Sequence, residues 1–204
     1  MSVRTSSRLL PRLTTNLTTT TPTLRRTFIT LPTSATTQHL TALRTLPYSA
    51  SPLYNLISDI DSYSTFVPYC SRSRVTAWSQ PDASHSDRRW PTLADLHVGW
   101  GGFEEVFTSR LTCEPGHYVE AVSGGEGRGD ASAVFKSLVT RWHLKELETG
   151  DKPRTEVHLS IKYQFVNPLY AAVSSAVSDK VAGLMIEAFE KRAREQLGRG
   201  HDRL

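Results

Sequence analysis

The sequence predicts an α+β fold in which a strongly curved antiparallel sheet holds one long C-terminal helix. The first observation is that residues 167–198 carry a helical pattern of about eight turns between two capping signals. The second is a succession of alternating apolar and polar segments before that helix, joined by short turns that make neighbouring strands antiparallel. The third is a pair of short helical patterns after the first strand.

The folded part begins with a strand and a short helix. The strand is predicted at residues 39–49, where apolar and polar side chains alternate in part. Ser51 and Pro52 then predict a helix start, because serine caps free backbone N–H groups and proline suits the first helical turn. The apolar residues that follow at helical spacing are Leu53, Leu56, Ile57 and Ile60.

A second short helical turn is predicted to begin at Asp61 and to end before the sequence FVPYC at residues 66–70. Pro68 disfavours helical geometry at the residue that precedes it, so the helix must end here. The loop at residues 66–70 is therefore predicted to be apolar and at least partly exposed to solvent.

The remaining strands are predicted from alternation and from the turns between them. Residues 79–91 are polar and turn-rich, which predicts a long hairpin loop. Glycines around Trp100 predict a turn or bulge between two strands. The last strand alternates most cleanly, which is typical of a sheet with one apolar and one wet face. With the first strand, these segments make about seven strands: residues 72–78, 92–99, 103–114, 117–123, 135–147 and 156–165.

The long helix is predicted to begin at Asn167 and Pro168 and to end at Gly198. An apolar row recurs at every fourth position, and such a row drifts around a helix of about 3.6 residues per turn. A second group widens it to a broad stripe, which predicts one face buried over a solid core or a cavity. The row is Leu169, Val173, Val177, Val181, Met185, Phe189, Ala193 and Leu197, and the second group is Ala176, Leu184 and Ala188.

Charge is unevenly distributed along the chain. The formal net charge is +4, but no Asp or Glu precedes Asp59, whereas six arginines do. From Asp59 onward, 18 Lys and Arg residues stand against 20 Asp and Glu residues, so this part carries a net charge of −2. The folded part therefore gives no charge support for nucleic-acid binding.

The first 36 residues are rich in Arg, Ser, Thr and Leu and lack both acidic residues and the apolar block of a secretory signal. This composition predicts a disordered mitochondrial transit peptide at residues 1–36, one domain at residues 37–199 and a disordered tail at residues 200–204. A plain disordered segment is the alternative at the N-terminus. No apolar run reaches the ~18 residues of a spanning helix, and Cys70 and Cys113 form no CxxC pattern, which favours a reducing compartment.

The sequence shows no catalytic constellation. Its seven histidines lack metal-binding spacing, and no nucleophile stands beside a base, so we expect no catalytic residue, no metal and no cofactor. Glu105 interrupts an apolar pattern, because alternation places it on the face of Phe103 and Phe107. Either it lines a cavity and hydrogen-bonds an otherwise apolar ligand, or a bulge near Gly101 and Gly102 turns it to solvent.

Five blocks, in order, carry a resemblance to a known family. They are LPYSASPLYNLISDIDSYSTFVPYC at residues 46–70, GFEEVFTSRL at 102–111, FKSLVTRWHL at 135–144, VHLSIKYQFVNPLY at 157–170 and AFEKRA at 188–193. Together they make the chain closely resemble the mitochondrial coenzyme Q-binding proteins of the START-like superfamily over residues 38–198. The chain departs from that pattern at residues 80–91, which look like an insertion, and at residues 124–133, which are longer and more polar.

The resemblance implies a helix-grip START-like fold that encloses a lipophilic tunnel. It implies ubiquinone, or a related polyprenyl lipid, as the bound ligand of a non-catalytic lipid chaperone. Such a protein would deliver quinone for respiratory electron transport and support quinone biosynthesis. The resemblance also implies peripheral contact with the matrix side of the mitochondrial inner membrane, with respiratory or quinone-biosynthesis complexes as partners and no nucleic acid.

The resemblance and the strand alternation together predict the ligand-binding residues. The FVPYC loop is expected to form the tunnel mouth and to face the membrane, and part of the long helix is expected to act as a lid over the tunnel. The predicted ligand-binding residues are Phe66, Val67, Pro68, Tyr69, Trp100, Phe103, Glu105, Leu138, Trp142, Tyr163, Phe165, Leu184, Met185 and Phe189.

Two other function classes remain open at this point. The same superfamily contains aromatic polyketide cyclases, whose chemistry needs acid–base groups inside the cavity, and here alternation offers Glu105 alone. Some bacterial relatives act on ribosomes, which suggests a protein-interaction module, but the slightly acidic folded part gives no charge support for contact with RNA.

Overall fold

The computed structural model describes residues 37–100, 103–124, 134–147 and 152–198. The side chains of Trp100, Phe103 and residues 168–179 also lie outside this description. The predicted transit peptide at residues 1–36, the predicted tail at residues 200–204 and the glycine turn at residues 101–102 all fall outside the described residues.

The architecture is a seven-stranded antiparallel sheet with one long helix, as the alternation and capping signals predict. The strands follow the order β1-β7-β6-β5-β4-β3-β2. The first strand therefore pairs with the last, and β1 and β2 form the two edges of the sheet. The strands are β1 Gln38–Leu46, β2 Cys70–Trp78, β3 Pro91–Trp100, β4 Phe103–Glu114, β5 Tyr118–Gly124, β6 Phe135–Leu147 and β7 Arg154–Phe165. The helices are α1 Ala50–Ser58 and α2 Pro168–Leu197, with 3-10 turns at Ile60–Thr65 and Ala83–His85.

Helix α1 begins at Ala50, one residue before the predicted cap at Ser51. Its cap position is occupied by Ser49, whose side chain makes no capping hydrogen bond. Instead, the Ala50 N–H donates to Glu146 Oε1 of β6 at 2.7 Å. The local Ser-Pro signal was therefore wrong about the start, because a carboxylate distant in sequence satisfies the first free N–H group.

Helix α2 buries a face that differs from the predicted stripe. Among the side chains of α2 that the structure describes, the most buried are Ala182, Ile186, Phe189 and Ala193, which follow the three- and four-residue spacing of a helix. Leu184, expected to face the sheet, is 38% exposed. It lies two residues from both Ala182 and Ile186, about 200° around the helix at 100° per residue, so it must point away from that face.

The loop at residues 66–70 is partly exposed, as predicted, but not along its whole length. Phe66 and Pro68 are half-buried and Tyr69 is exposed, whereas Val67 and Cys70 are buried. The Val67 N–H donates to the Tyr63 carbonyl at 2.8 Å, which turns the chain inward after the 3-10 turn. Tyr69 is 47% exposed and has a positive φ of 63°.

A bulge in β6 changes the direction of its first side chain. Simple alternation places Phe135 opposite to Leu138, but the pairing with β7 skips Lys136, so Phe135 lies across from Phe165. Gly124, at the end of β5, accommodates this bulge: its φ is +71°, and a Cβ built there would lie 2.7 Å from the Lys136 carbonyl oxygen. Glycine therefore permits the close strand approach that the bulge requires.

Candidate functional site

The inner face of the sheet, defined here as the face that carries Trp142, lies against α2. The ring centroids of Trp142 and Phe189 are 4.4 Å apart, which identifies this face directly. In the described residues, α2 contacts mainly β1, β7 and α1. Its described backbone therefore runs closest to β1 and β7.

An aromatic cluster fills the space between the last third of α2 and the sheet. Phe189 makes edge contacts with Tyr63 at 5.1 Å and Phe66 at 4.9 Å, in addition to its contact with Trp142. Arg192 lies over the Phe66 ring at 5.3 Å. The gap left beside this cluster has a volume of about 10 Å³, too small for more than one water molecule. Trp142 and Phe189, predicted to line the tunnel, are thus packed against each other.

A row of small residues crosses the inner face next to this closed region. Ala94, Ser109 and Ser123 occupy neighbouring positions on β3, β4 and β5, and Ser123 lies across from Leu138 of β6. Leu138 in turn lies across from Tyr163 of β7. Small side chains project little from the backbone of the sheet along this row, and Ala94, Ser109 and Ser123 are all buried.

A second aromatic cluster lies on the other side of this row, where β6 begins and β7 ends. Phe135 contacts Phe107 at 5.5 Å, Tyr163 at 5.6 Å and Phe165 at 4.8 Å between ring centroids. Tyr163 and Phe165 were predicted as lining residues, and the structure places both on the inner face. The arrangement is apolar and aromatic, as expected of a surface that contacts a hydrophobic ligand.

Glu105 lies on the inner face. The pairing of β3 with β4 runs from Trp100 and Phe103 through Val98 and Glu105 without a register shift. Glu105 therefore keeps the same side of β4 as Phe107, and it is half-buried. The described strand pairs do not contain the bulge that would have turned this carboxylate to solvent.

The other predicted residues are dispersed. Leu184 is exposed on the far side of α2, while Met185 is half-buried against the core. Pro68 is half-buried and Tyr69 is exposed. The side chains of Trp100 and Phe103 lie outside the described residues.

Sequence reasoning did not assign Phe107, Phe135, Ser109 or Ser123 to the site. The alternation of β4 placed Phe107 and Ser109 beside Glu105, so that signal was present. Ser123 alternates with the buried Val119 in the same way. Phe135 gave no such signal, because only the bulge at Lys136 brings it to the inner face.

Burial holds two thiols and two tyrosine hydroxyls of the core in their neutral forms. Burial raises the pKa of both the Cys70 and the Cys113 thiol. Burial likewise raises the pKa of the Tyr54 and Tyr63 hydroxyls. The Cys113 thiol donates to the Pro91 carbonyl at 3.6 Å. These thiols therefore behave as small core side chains and not as nucleophiles.

A separate surface cleft of about 490 Å³ lies where β2 and α2 end and β3 begins. Arg88 stacks over Trp90 at 4.4 Å in its wall. Helix α1 contributes to the wall of this cleft, whereas none of the residues of the second aromatic cluster does. Its lining residues are Pro52, Asn55, Leu56, Ser58, Asp59, Trp78, Arg88, Arg89, Trp90, Pro91, Gln196 and Leu197.

No helix in the described ranges is both long and apolar enough to cross a membrane. Within the same ranges, no group of three or more His, Cys, Asp or Glu side chains is placed to hold a metal ion.

Comparison with known proteins places the chain in a family. Residues 46–190 match the family described as polyketide cyclase / dehydrase and lipid transport. The chain is 32% identical over 153 residues to the mitochondrial coenzyme Q-binding protein coq10 of Schizosaccharomyces pombe, covering 75% of this chain and 85% of that protein. The chain belongs to the coenzyme Q-binding protein family. This confirms the family that the five sequence blocks resemble.

The chain is also similar in sequence to bacterial toxins. The chain is 30% identical over 152 residues to the ribosome association toxin RatA of Escherichia coli, covering 74% of this chain and 83% of that protein.

Solved structures confirm the START-like fold. A START superfamily protein from Mycobacterium smegmatis matches with a TM-score of 0.58 at 16% identity, covering 77% of this chain and 97% of that one. The Zhui aromatase/cyclase from Streptomyces sp. R1128 matches with a TM-score of 0.54 at 15% identity, covering 79% and 97%. At these identities the likeness shows the fold alone.

Proposed function

We propose that the protein binds ubiquinone, or a related polyprenyl lipid, against the inner face of the sheet beside α2. The observation that carries this proposal is the second aromatic cluster, which continues from the small-residue row on the same inner face of the sheet. Relatives named coenzyme Q-binding proteins support it. An isoprenoid tail exposes much apolar area, and shielding it is worth roughly 25 cal/mol per Å².

The protein acts as a carrier and does not convert its ligand chemically. The described inner face presents mainly aromatic and aliphatic side chains, with Glu105, Ser109 and Ser123 among them, and its nearby thiols are held protonated by burial. A carrier needs a ligand surface that releases what it binds, and apolar contact provides affinity without a covalent step. This proposal sets aside the cyclase-like activity of some structural neighbours, whose similarity shows only the fold.

The cellular role we propose is that of a lipid chaperone in mitochondria. The protein collects quinone at the matrix side of the inner membrane, supplies it for respiratory electron transport and supports quinone biosynthesis. The names of several relatives describe them as mitochondrial. A soluble shield lowers the cost of moving a polyprenyl chain through water between two membrane sites.

Peripheral membrane contact would use Tyr69, the exposed aromatic residue of the 66–70 loop. Phe66 and Val67 are less suitable for this role, because they pack inward. Tyr69→Asn is expected to weaken binding to cardiolipin-containing liposomes about threefold, since it removes an interfacial ring. Asparagine tolerates the positive φ at this position, so the loop should keep its conformation.

Liposome co-sedimentation measures this effect. Leu43→Asn is the matched control, because Leu43 is equally exposed but lies on β1, distant in sequence from the loop. Equal loss of binding by both variants would contradict a specific role of Tyr69.

The ligand itself is tested by extracting the purified protein with organic solvent and identifying bound lipid by mass spectrometry. We expect ubiquinone or a polyprenyl precursor at a sub-stoichiometric to equimolar level, and uptake of added ubiquinone by the emptied protein. Failure to take up quinone would reject the proposal. If the same preparation instead co-sedimented with ribosomes, the likeness to ribosome association toxins would become the better guide to function.

A further inference from the structure

We propose that the hydroxyl pair of Ser109 and Ser123 binds a carbonyl oxygen of the lipid's ring, so that the head group enters first and the tail leads outward. This inference rests on the proposed function and adds to it a polar subsite and an orientation. It concerns two residues that neither the sequence pattern nor the family resemblance assigns to the site.

The two hydroxyls are buried together on the inner face. Ser109 Oγ and Ser123 Oγ lie 2.6 Å apart, on adjacent strands β4 and β5. Their side chains are 7% and 4% exposed. Each lies on the same side of its strand as buried apolar neighbours, Leu111 and Val119 respectively.

The serine pair has one donor hydrogen left for a hydrogen-bond acceptor. Two hydroxyls carry two hydrogens, and the bond between them uses one. The remaining O–H has no acceptor among the described residues, because the only hydrogen bond of either hydroxyl is to the other. A buried donor without an acceptor is unfavourable, so the pair is prepared to donate one hydrogen bond to a ligand.

The surroundings of the pair select the class of acceptor. Ala94, which is fully buried, and Leu138 flank the two serines in the same cross-strand row. A charged phosphate or carboxylate would find no cation in this row and would be desolvated at a high cost. A neutral carbonyl oxygen on a planar ring needs only the one donor that the pair offers, and quinones carry such oxygens.

The position of the pair sets the orientation. On one side lies the closed cluster of Trp142 and Phe189, which leaves almost no free volume. On the other side lies the second aromatic cluster, which includes Phe107 and Phe135. A ring held at the serines therefore cannot extend its tail past Trp142, and the tail must leave across Phe107 and Phe135.

The test compares two probes that share one tail. Ubiquinone-2 carries a geranyl tail and ring carbonyls, and geranylbenzene carries the same tail on a ring without oxygen. Each probe is loaded into phosphatidylcholine vesicles, the full chain is added and separated by flotation, and the probe that it has taken up is measured by mass spectrometry. The Ser109→Ala, Ser123→Ala double variant is expected to take up about three- to tenfold less ubiquinone-2, corresponding to one net hydrogen bond, and an unchanged amount of geranylbenzene.

The single variants make the prediction sharper. Each leaves one hydroxyl, whose hydrogen is then free for the ligand, so either single variant should lose less than about twofold. A purely structural role would not give this pattern, because removing the bond between the serines would already occur in each single variant. Ser160→Ala serves as the control, since Ser160 pairs with His39 on the outer face.

The outcomes separate this inference from the proposed function. Uptake of ubiquinone-2 by the native protein, with no selective loss in the double variant, would overturn the subsite and leave the quinone-binding proposal standing. Equal loss of both probes would also overturn it, because the effect would then not depend on the carbonyl. If the native protein took up neither probe, both the proposed function and the subsite would be rejected.

Discussion

Replacing Phe189 with alanine is expected to lower the free energy of unfolding by about 3–5 kcal/mol, the range for truncating a buried aromatic side chain. Phe189 is 4% exposed and contacts three other aromatic rings, those of Tyr63, Phe66 and Trp142. These rings come from the 3-10 turn, the 66–70 loop and β6, so the cavity would loosen three separate segments at once. The side chains around Phe189 are already closely packed, with only about 10 Å³ free beside them. They could therefore relax little into the cavity that the alanine would leave.

Urea denaturation followed by circular dichroism measures this loss. Leu184→Ala is the matched control on the same helix, and as an exposed position it should change stability by less than about 0.5 kcal/mol. Similar losses for the two variants would contradict the observed orientation of α2. The same comparison explains why Phe189 is a poor position for probing ligand contact: its removal weakens the fold first.

Replacing Phe107 with aspartate is expected to reduce ubiquinone retention more than tenfold. Phe107 is half-buried on the inner face and contacts Phe135 at 5.5 Å. An unpaired carboxylate placed against an isoprenoid tail costs several kcal/mol of desolvation, and about 1.4 kcal/mol is already a factor of ten in affinity. The effect would arise at the ligand surface, because Phe107 lies outside the cluster around Phe189.

The neighbouring residue provides the control for this change. Val106 is 48% exposed and points to the outer face of the same strand, so Val106→Asp adds the same charge on the other side of the sheet. It should leave retention unchanged, as should Phe107→Leu to within about twofold, since it keeps an apolar side chain. Retention is measured by mass spectrometry after gel filtration. Equal retention by Phe107→Asp and Val106→Asp would place the ligand elsewhere on the molecule.

The regular elements of this fold were predictable because their signals are local. In β7, buried side chains alternate with half-buried or exposed ones along the whole strand, and the sequence shows the same alternation. The bounds of α2 follow from a proline that suits the first turn and a glycine after the last, Pro168 and Gly198. Such features depend on each residue's neighbours along the chain, which the sequence states directly.

The site was only partly predictable because several of its features depend on contacts between distant segments. The bulge at Lys136 turns Phe135 inward, although alternation alone would turn it outward. Likewise, Leu184 belonged to the second group that widened the apolar row and was expected to face the sheet, yet the packing of Ile186 and Phe189 turns it to solvent. A small change in the rotation of a helix about its axis moves a side chain from the core to the surface. The sequence does not specify that rotation.

By itself, the sequence determined the α+β class, the succession of strands and helices and the family, because periodicity, capping and ordered motifs are written along the chain. Only the tertiary structure decided that the rings of Trp142 and Phe189 pack against each other, and that Ser109 and Ser123 meet at 2.6 Å. The physical reason is that burial and hydrogen bonding are properties of pairs of segments. Strand register and helix rotation set those pairs, and both are established only when the sheet closes on α2.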